Sequence, residues 1–379
     1  MSTLKLLSAV LVSAAVILSA PFMGQLRAWL RTAFPGQFVL IVGGTVAAAI
    51  GVGVLIALVR VRDRRSLRYG AIAAALLLGL AYNAALATGN PETDAVERVH
   101  FVEYGLITLL FYRACRPLGD LSMFVLPILA GVIVGTFEEW FQWFIPVRVG
   151  EMRDVALNLV AVGCGLLFSV GVSPPDAFTR HLRPGSLTRL GLVASAALII
   201  LAAFVHAVHL GYVVSHRDIG SFKSRYREEQ LQGLAADRAD RWRRDPPIAF
   251  RRLSREDQYM DEGLWHVRRR NDAWTAADRA TAWQENRILE EFFAPVLDTP
   301  SYVSKTGHRW HPDQRADAER ARASTDASYV SRAEPLPIID WSKTLFWSVV
   351  VALAGALTAA GWLGDRWHRA GRGLGAEIV

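Results

Sequence analysis

The stretch Gly135–Gly165, GTFEEWFQWFIPVRVGEMRDVALNLVAVGCG, sets acids, amides and arginines between two apolar runs. Upstream the chain is apolar from Leu121, and downstream of Asn158 it is apolar again to Val172. The pattern is that of two membrane helices turning back on each other. Glu138, Glu139 and Gln142 fall near the end of the first, and Asp154 and Asn158 near the start of the second. An ionisable residue within a span costs on the order of 2.5 to 3.5 kcal/mol on insertion scales, so each of these is a functional-site hypothesis.

The rest of the chain supports that reading. Of its 379 residues 52% are hydrophobic and 20% charged, and the apolar ones gather in blocks of bilayer-spanning length. Eight spans are predicted: Leu4–Ala20, Phe38–Val59, Tyr69–Leu86, Val96–Cys115, Leu121–Ile145, Asp154–Val172, Gly191–Val214 and Trp341–Leu363. An all-α, multi-pass membrane protein is therefore expected. The N-terminus resembles a signal peptide, but Pro21 after Ala20 disfavours cleavage, and it reads as a retained first span.

The formal charge of +7 does not indicate nucleic acid. Residues 215–340 hold 22 Lys and Arg against 22 Asp and Glu, so the excess lies elsewhere, mainly in short loops. There it alternates. Arg60–Arg68 is basic, Thr88–Asp94 has no Lys or Arg, and Arg113–Asp120 is basic again, as are the loop after the sixth span and the C-terminal tail. The positive-inside rule then puts both termini in the cytoplasm and residues 215–340 outside. Arg27, Arg31, Arg148 and Arg153 run against it. Cys115 and Cys164 sit in or beside apolar spans, which excludes a disulfide framework.

Residues 215–340 carry helical signals. Ser221 is predicted to cap a helix to Arg244, Ser254–Asp257 to open one through Trp274, Thr275 to open one that Pro295 ends, and Pro312 to start a short fourth. Three domains follow: a bundle over 1–214, the helical insertion 215–340, and a last span with its tail, 341–379.

Depth along the helices brings the polar residues together. On the fourth span Glu97, His100 and Tyr104 share a face, with Arg98 next in sequence and Glu103 beside that face. Glu139 is a candidate general acid or base with His100 as its partner; His100 is alternatively a base oriented by Glu97 or Glu103, a metal ligand, or a hydrogen-bonded structural residue. Glu97, Arg98, Glu103, Tyr104, Glu138, Gln142, Arg148, Asp154 and Asn158 are candidate ligand-binding residues, with Arg148 and Arg153 suited to a phosphate. The alternative is that the acids pair with Arg98, Arg148 or Arg153 and lock helices together, while Gln142 and Asn158 bond between helices. His206 and His209, three apart on the seventh span, are a weaker metal alternative, since no metal or haem motif accompanies them. No cofactor is expected.

The runs ERVHFVEYG (97–105), EEWFQ (138–142) and PVRVGEMRDVALN (146–158) together resemble the VanZ-like integral membrane family. Two positions depart from its pattern: Glu138-Glu139 stands for Asp-Glu, and Ala161 for glycine, while Gly165 matches. The resemblance covers roughly residues 96–165. It implies a bacterial cytoplasmic-membrane protein facing the cell envelope, and a link to teicoplanin, the glycopeptide to which the founding member lowers susceptibility. The expected partners are membrane lipids and a lipid-linked envelope precursor or a glycopeptide. Three roles follow: an accessory or binding protein, a membrane-embedded hydrolase or transferase acting on lipid headgroups, or an assembly subunit. No nucleophile motif of the GxSxG kind supports the second.

Overall fold

The computed structural model describes residues 3–143, 150–243, 255–299, 304, 306–320, 328–333 and 337–376. Apart from one β-hairpin they form α-helices, seven of which are long and apolar enough to cross a membrane. The protein is an all-α, multi-pass helical membrane protein. It comprises two units: one runs to Trp143, from Gly150 to Phe204 and from Trp347 onward, and the other from Val205 to Phe346.

The first unit contains α1 (Thr3–Ala33), α2 (Phe38–Arg60), α3 (Arg65–Ala85), α4 (Pro91–Cys115), α5 (Ser122–Gln142) and α6 (Met152–Val172). Most of α7 (Ser186–Val208) and of the last helix also belongs to it. Leu40, Leu55, Val59, Leu77 and Leu80 are exposed, as suits a surface solvated by lipid rather than water. The first span differs from expectation. Pro21 does not end it, and the helix continues to Ala33, carrying Arg27 and Arg31 on its last turns. A proline forfeits one backbone bond, which membrane helices tolerate where neighbours and local adjustment satisfy the freed group.

The fourth expected span is a 25-residue helix that packs against α1, α2, α5 and α6. It is absent from the seven apolar helices because its first half bears Glu92, Asp94, Glu97, Arg98 and Glu103. It starts sooner than expected. Asn90 caps it, accepting from the Glu92 amide at 3.0 Å, and Pro91 follows in the first turn, where its missing N–H costs nothing.

Two buried charges clamp the far ends of these helices. The Arg68 guanidinium donates to the carbonyls of Gly171 (2.9 Å) and Val172 (2.7 Å), bonding orphan acceptors at the end of α6, and pairs with Asp63. Asp120 accepts from the amide of Ser122 and the hydroxyls of Ser122 and Ser186. It also accepts from the Arg183 amide, so one carboxylate orders the starts of α5 and α7.

The second unit opens with a surprise for the sequence reading. The seventh span ends at Val208, and β1 (Tyr212–His216) pairs antiparallel with β2 (Gly220–Ser224), so Ser221 is a strand residue and not a helix cap. Val213 and Val214 are β-branched, and Gly211 admits the backbone of Ser224 where a Cβ would stand 2.3 Å from its carbonyl oxygen. Further bridges, Leu210 to Ile339 and Ser221 to Val330, join the hairpin to the end of the unit.

Helices α8 (Glu228–Arg243), α9 (Arg255–Thr275), α10 (Arg279–Phe292), α11 (Ala294–Asp298) and α12 (Pro312–Arg320) follow, then α13 (Lys343–Ala376). Thr275 closes α9 instead of opening the next helix, and Asp278 caps α10, accepting from the Thr281 amide at 3.0 Å. Pro295 begins α11. Phe222, Tyr259, Phe292, Phe293 and Val296 centre an apolar core that the hairpin and helices α8–α11 enclose. Inside this unit Glu285 is fully buried, accepting from His266 Nδ1 (2.7 Å), Tyr329 Oη and Ser331 Oγ. Burial raises its pKa, but the His266 charge and these bonds outweigh that and hold the carboxyl below the usual range.

Candidate functional site

The polar residues of the first unit gather where α4, α5 and α6 meet. Counting about 1.5 Å per residue, His100 lies roughly 14 Å into α4 from its start, Asn158 about 9 Å into α6, and Glu138 about 6 Å before the end of α5. Below them Tyr104, Ile107, Val134, Ala161 and Val162 form an apolar floor. Close packing makes the layer compact: a Cβ on Gly165 would stand 2.8 Å from the Gly105 Cα, so α6 and α4 meet backbone to backbone.

Glu138 and Glu139 are both buried and point differently. Tyr104 Oη donates to Glu138 Oε2 at 2.5 Å, and Gln142 Nε2 reaches Glu138 Oε1 at 3.2 Å and Glu139 Oε1 at 3.1 Å. Glu139 Oε2 instead accepts from the Glu151 amide at 3.4 Å, at the start of α6. Gly150 makes this approach feasible, since a Cβ there would stand 2.1 Å from the Glu139 carbonyl oxygen.

Glu103, which the sequence offered with Glu97 and Glu139 as a partner of His100, lies near it together with Glu138. One ligand-type atom from each of His100, Glu103 and Glu138 lies within 4.8 Å of the others. The His100 ring also stacks near Tyr104, with centroids 6.3 Å apart and planes at 21°. Among the described residues no other such group of three His, Cys, Asp or Glu occurs, and neither His206 nor His209 belongs to this one. His209 lies past the end of α7, and its Nδ1 is bonded to the Pro337 carbonyl at 2.9 Å.

Asn158 stands on the α6 side and is 1% exposed. A Cβ on Gly135 would lie 3.3 Å from its Nδ2 and 3.4 Å from Tyr104 Cε1, so the amide flanks the Tyr104 ring. Neither Nδ2 nor Oδ1 of Asn158 has a hydrogen-bond partner among the described residues. A buried amide left so costs about 1–3 kcal/mol and points to something that bonds it.

The remaining expected residues form a rim. Arg153 pairs with Glu97 at 3.0 Å, an ion pair between α6 and α4. Asp154, half-buried in the first turn of α6, acts electrostatically on Glu97. Arg98 is exposed on α4, and Arg148 lies outside the described residues. Gly150 and the Glu151 amide were missed by sequence reasoning; a glycine just before the polar start of α6 was the available signal.

No protein-family model, curated protein or solved structure matches this chain.

Proposed function

We propose that this is a VanZ-like protein of the bacterial cytoplasmic membrane that holds a polar envelope molecule at the α4–α5–α6 site, in an accessory or binding role. The termini are cytoplasmic and residues 215–340 extracytoplasmic, on the strength of the basic loops at Arg60–Arg68 and Arg113–Asp120, which put the site in the outer leaflet. A lipid-linked precursor or a glycopeptide is the ligand class that this placement and the family resemblance favour.

One observation carries the reading: the fully buried Asn158 amide, unpaired among the described residues, beside a cluster of carboxylates from two other helices. Helix packing alone does not require that amide. The hydroxyls of the adjoining turns are bonded to their own helices, Thr108 to the Tyr104 carbonyl and Thr136 to the Val132 carbonyl, which favours binding over nucleophilic turnover.

The test is native mass spectrometry of the detergent-purified full chain beside its Glu139→Gln and Asn158→Leu variants. A lipid-linked or glycopeptide mass retained by the parent and lost in Asn158→Leu is the expected result. A parent protein that carries no such mass would reduce the cluster to helix packing.

A further inference from the structure

We infer that His100, Glu103 and Glu138 form a binding site for a first-row divalent metal ion such as Zn²⁺ or Mn²⁺. The inference deepens the binding reading of the same site and rests on it for the nature of the ligand that the ion meets.

The donor set comes first. His100 and Glu103 are three residues apart on α4, a spacing that lets an imidazole and a carboxylate project from one helix face toward one ion. Glu138 supplies the third donor from α5, and the three ligand-type atoms are mutually within 4.8 Å. Bonds of about 2.0–2.2 Å would bring such atoms roughly 3–4 Å apart, so side-chain adjustment of about 1 Å closes the site. One imidazole and two carboxylates suit borderline ions that accept both nitrogen and oxygen.

The surroundings resemble those that metal ligands require. Glu138 is held by Tyr104 Oη on one oxygen and Gln142 Nε2 on the other, which fixes its direction. Tyr104 also lies against the His100 ring. The Asn158 amide, which flanks the Tyr104 ring, offers a donor and an acceptor to a water or ligand oxygen. The apolar floor of Ile107, Val134 and Val162 lowers the local dielectric and strengthens the attraction between ion and carboxylates.

Three protein donors leave coordination positions open, which is the arrangement of sites that bind a ligand through the metal. A divalent ion among the carboxylates adds positive charge to the site and accepts a phosphate oxygen. Of Arg148 and Arg153, the two arginines that the sequence suits to a phosphate, Arg153 is engaged by Glu97.

The experiment uses the full chain in detergent, stripped with a chelator and titrated with Co²⁺ alone, followed by its visible absorption and by Zn²⁺ competition. The expected result is one equivalent of Co²⁺ per chain, displaced by Zn²⁺. Binding is lost in His100→Ala and Glu138→Gln, weakened about 10–100-fold in Tyr104→Phe, and kept in Asp176→Asn, a surface control. The near-isosteric Glu103→Gln serves if His100→Ala does not fold. No stoichiometric Co²⁺ or Zn²⁺ binding by the monodisperse parent protein overturns the inference, as does equal binding by the parent and Glu103→Gln. If no metal binds while mass spectrometry still shows a ligand lost in Asn158→Leu, this inference fails and the binding reading stands. Metal bound without any retained ligand is the reverse outcome.

Discussion

Tyr104 Oη donates to Glu138 Oε2 at 2.5 Å across the contact between α4 and α5, with both side chains buried. The bond serves two ends: it satisfies a carboxylate inside a membrane-spanning unit, and it aims that carboxylate at His100 and Glu103.

Tyr104→Phe should destabilise the protein by about 1.5–3 kcal/mol, the range for a hydrogen bond to a charged group. The second half of the expectation is non-additivity. Combined with Glu138→Gln, the loss should fall short of the sum of the two single losses, because they remove one shared contact. Thermal denaturation of the four proteins in one detergent completes the cycle, and additive losses would show that the bond contributes nothing.

Asn158→Leu separates ligand binding from packing. The two side chains are close in volume, and leucine carries no unpaired polar atoms. The ligand-free variant should therefore be more stable than the parent by about 1 kcal/mol or more, since an unsatisfied buried amide costs about 1–3 kcal/mol. A lower melting temperature for the variant, measured on ligand-stripped protein, would mean that the amide has an internal partner.

Gly150→Ala should be poorly tolerated. A methyl group there would stand 2.1 Å from the Glu139 carbonyl oxygen, which is backbone and cannot rotate away. The turn must open to admit it, at a cost of about 1–3 kcal/mol as for other overpacked contacts. Reduced melting temperature, together with weaker protection of the Glu151 amide in hydrogen exchange, checks this. Unchanged exchange would place the strain elsewhere.

Glu285 makes the second unit acid-labile. Its folded pKa is below the ordinary value despite burial, so its contribution is fully present above the unfolded carboxylate pKa of about 4.3 and is lost as the pH falls through the folded value. Glu285→Gln should remove that pH dependence and, by leaving His266 without its carboxylate, destabilise the unit by about 3–5 kcal/mol. Tryptophan fluorescence of the full chain between pH 6 and 2 reads both. An acid transition identical in the parent and the variant would count against the assignment.

The family reading can be tested from outside the molecule. In a bacterium made sensitive to teicoplanin, expression of this chain should raise the inhibitory concentration of the drug, and expression of Asn158→Leu should not. Equal sensitivity with and without the parent protein, at matched membrane abundance, would argue against a glycopeptide role and leave a lipid-linked ligand as the target.

Much of the fold was legible in the sequence because crossing a membrane is decided by the transfer free energy of one local segment. Seven of the eight expected spans are helices of sufficient length and apolarity, and Pro312 opens a short helix as its fixed φ suggests. The hairpin at Tyr212–Ser224 was not legible. Its strands are five residues each and are secured by bridges to Val330 and Ile339, more than a hundred residues further along. No local pattern reports such a partner.

The candidate site divides in the same way. From sequence alone came the chemistry: polar residues at one depth of four helices, because rise per residue is a property of the helix itself; the structure gathers those of α4, α5 and α6. Which of the neighbours Glu138 and Glu139 joins the His100–Glu103 group was decided only by tertiary structure. Glu138 and Glu139 are adjacent in sequence and so point about 100° apart around α5. Their directions depend on the rotation of that helix, which is set by Gly131 against Val162 and Gly135 against Asn158. Contacts of that kind join residues distant in the chain, and so Glu138 turns to His100 while Glu139 turns to the start of α6.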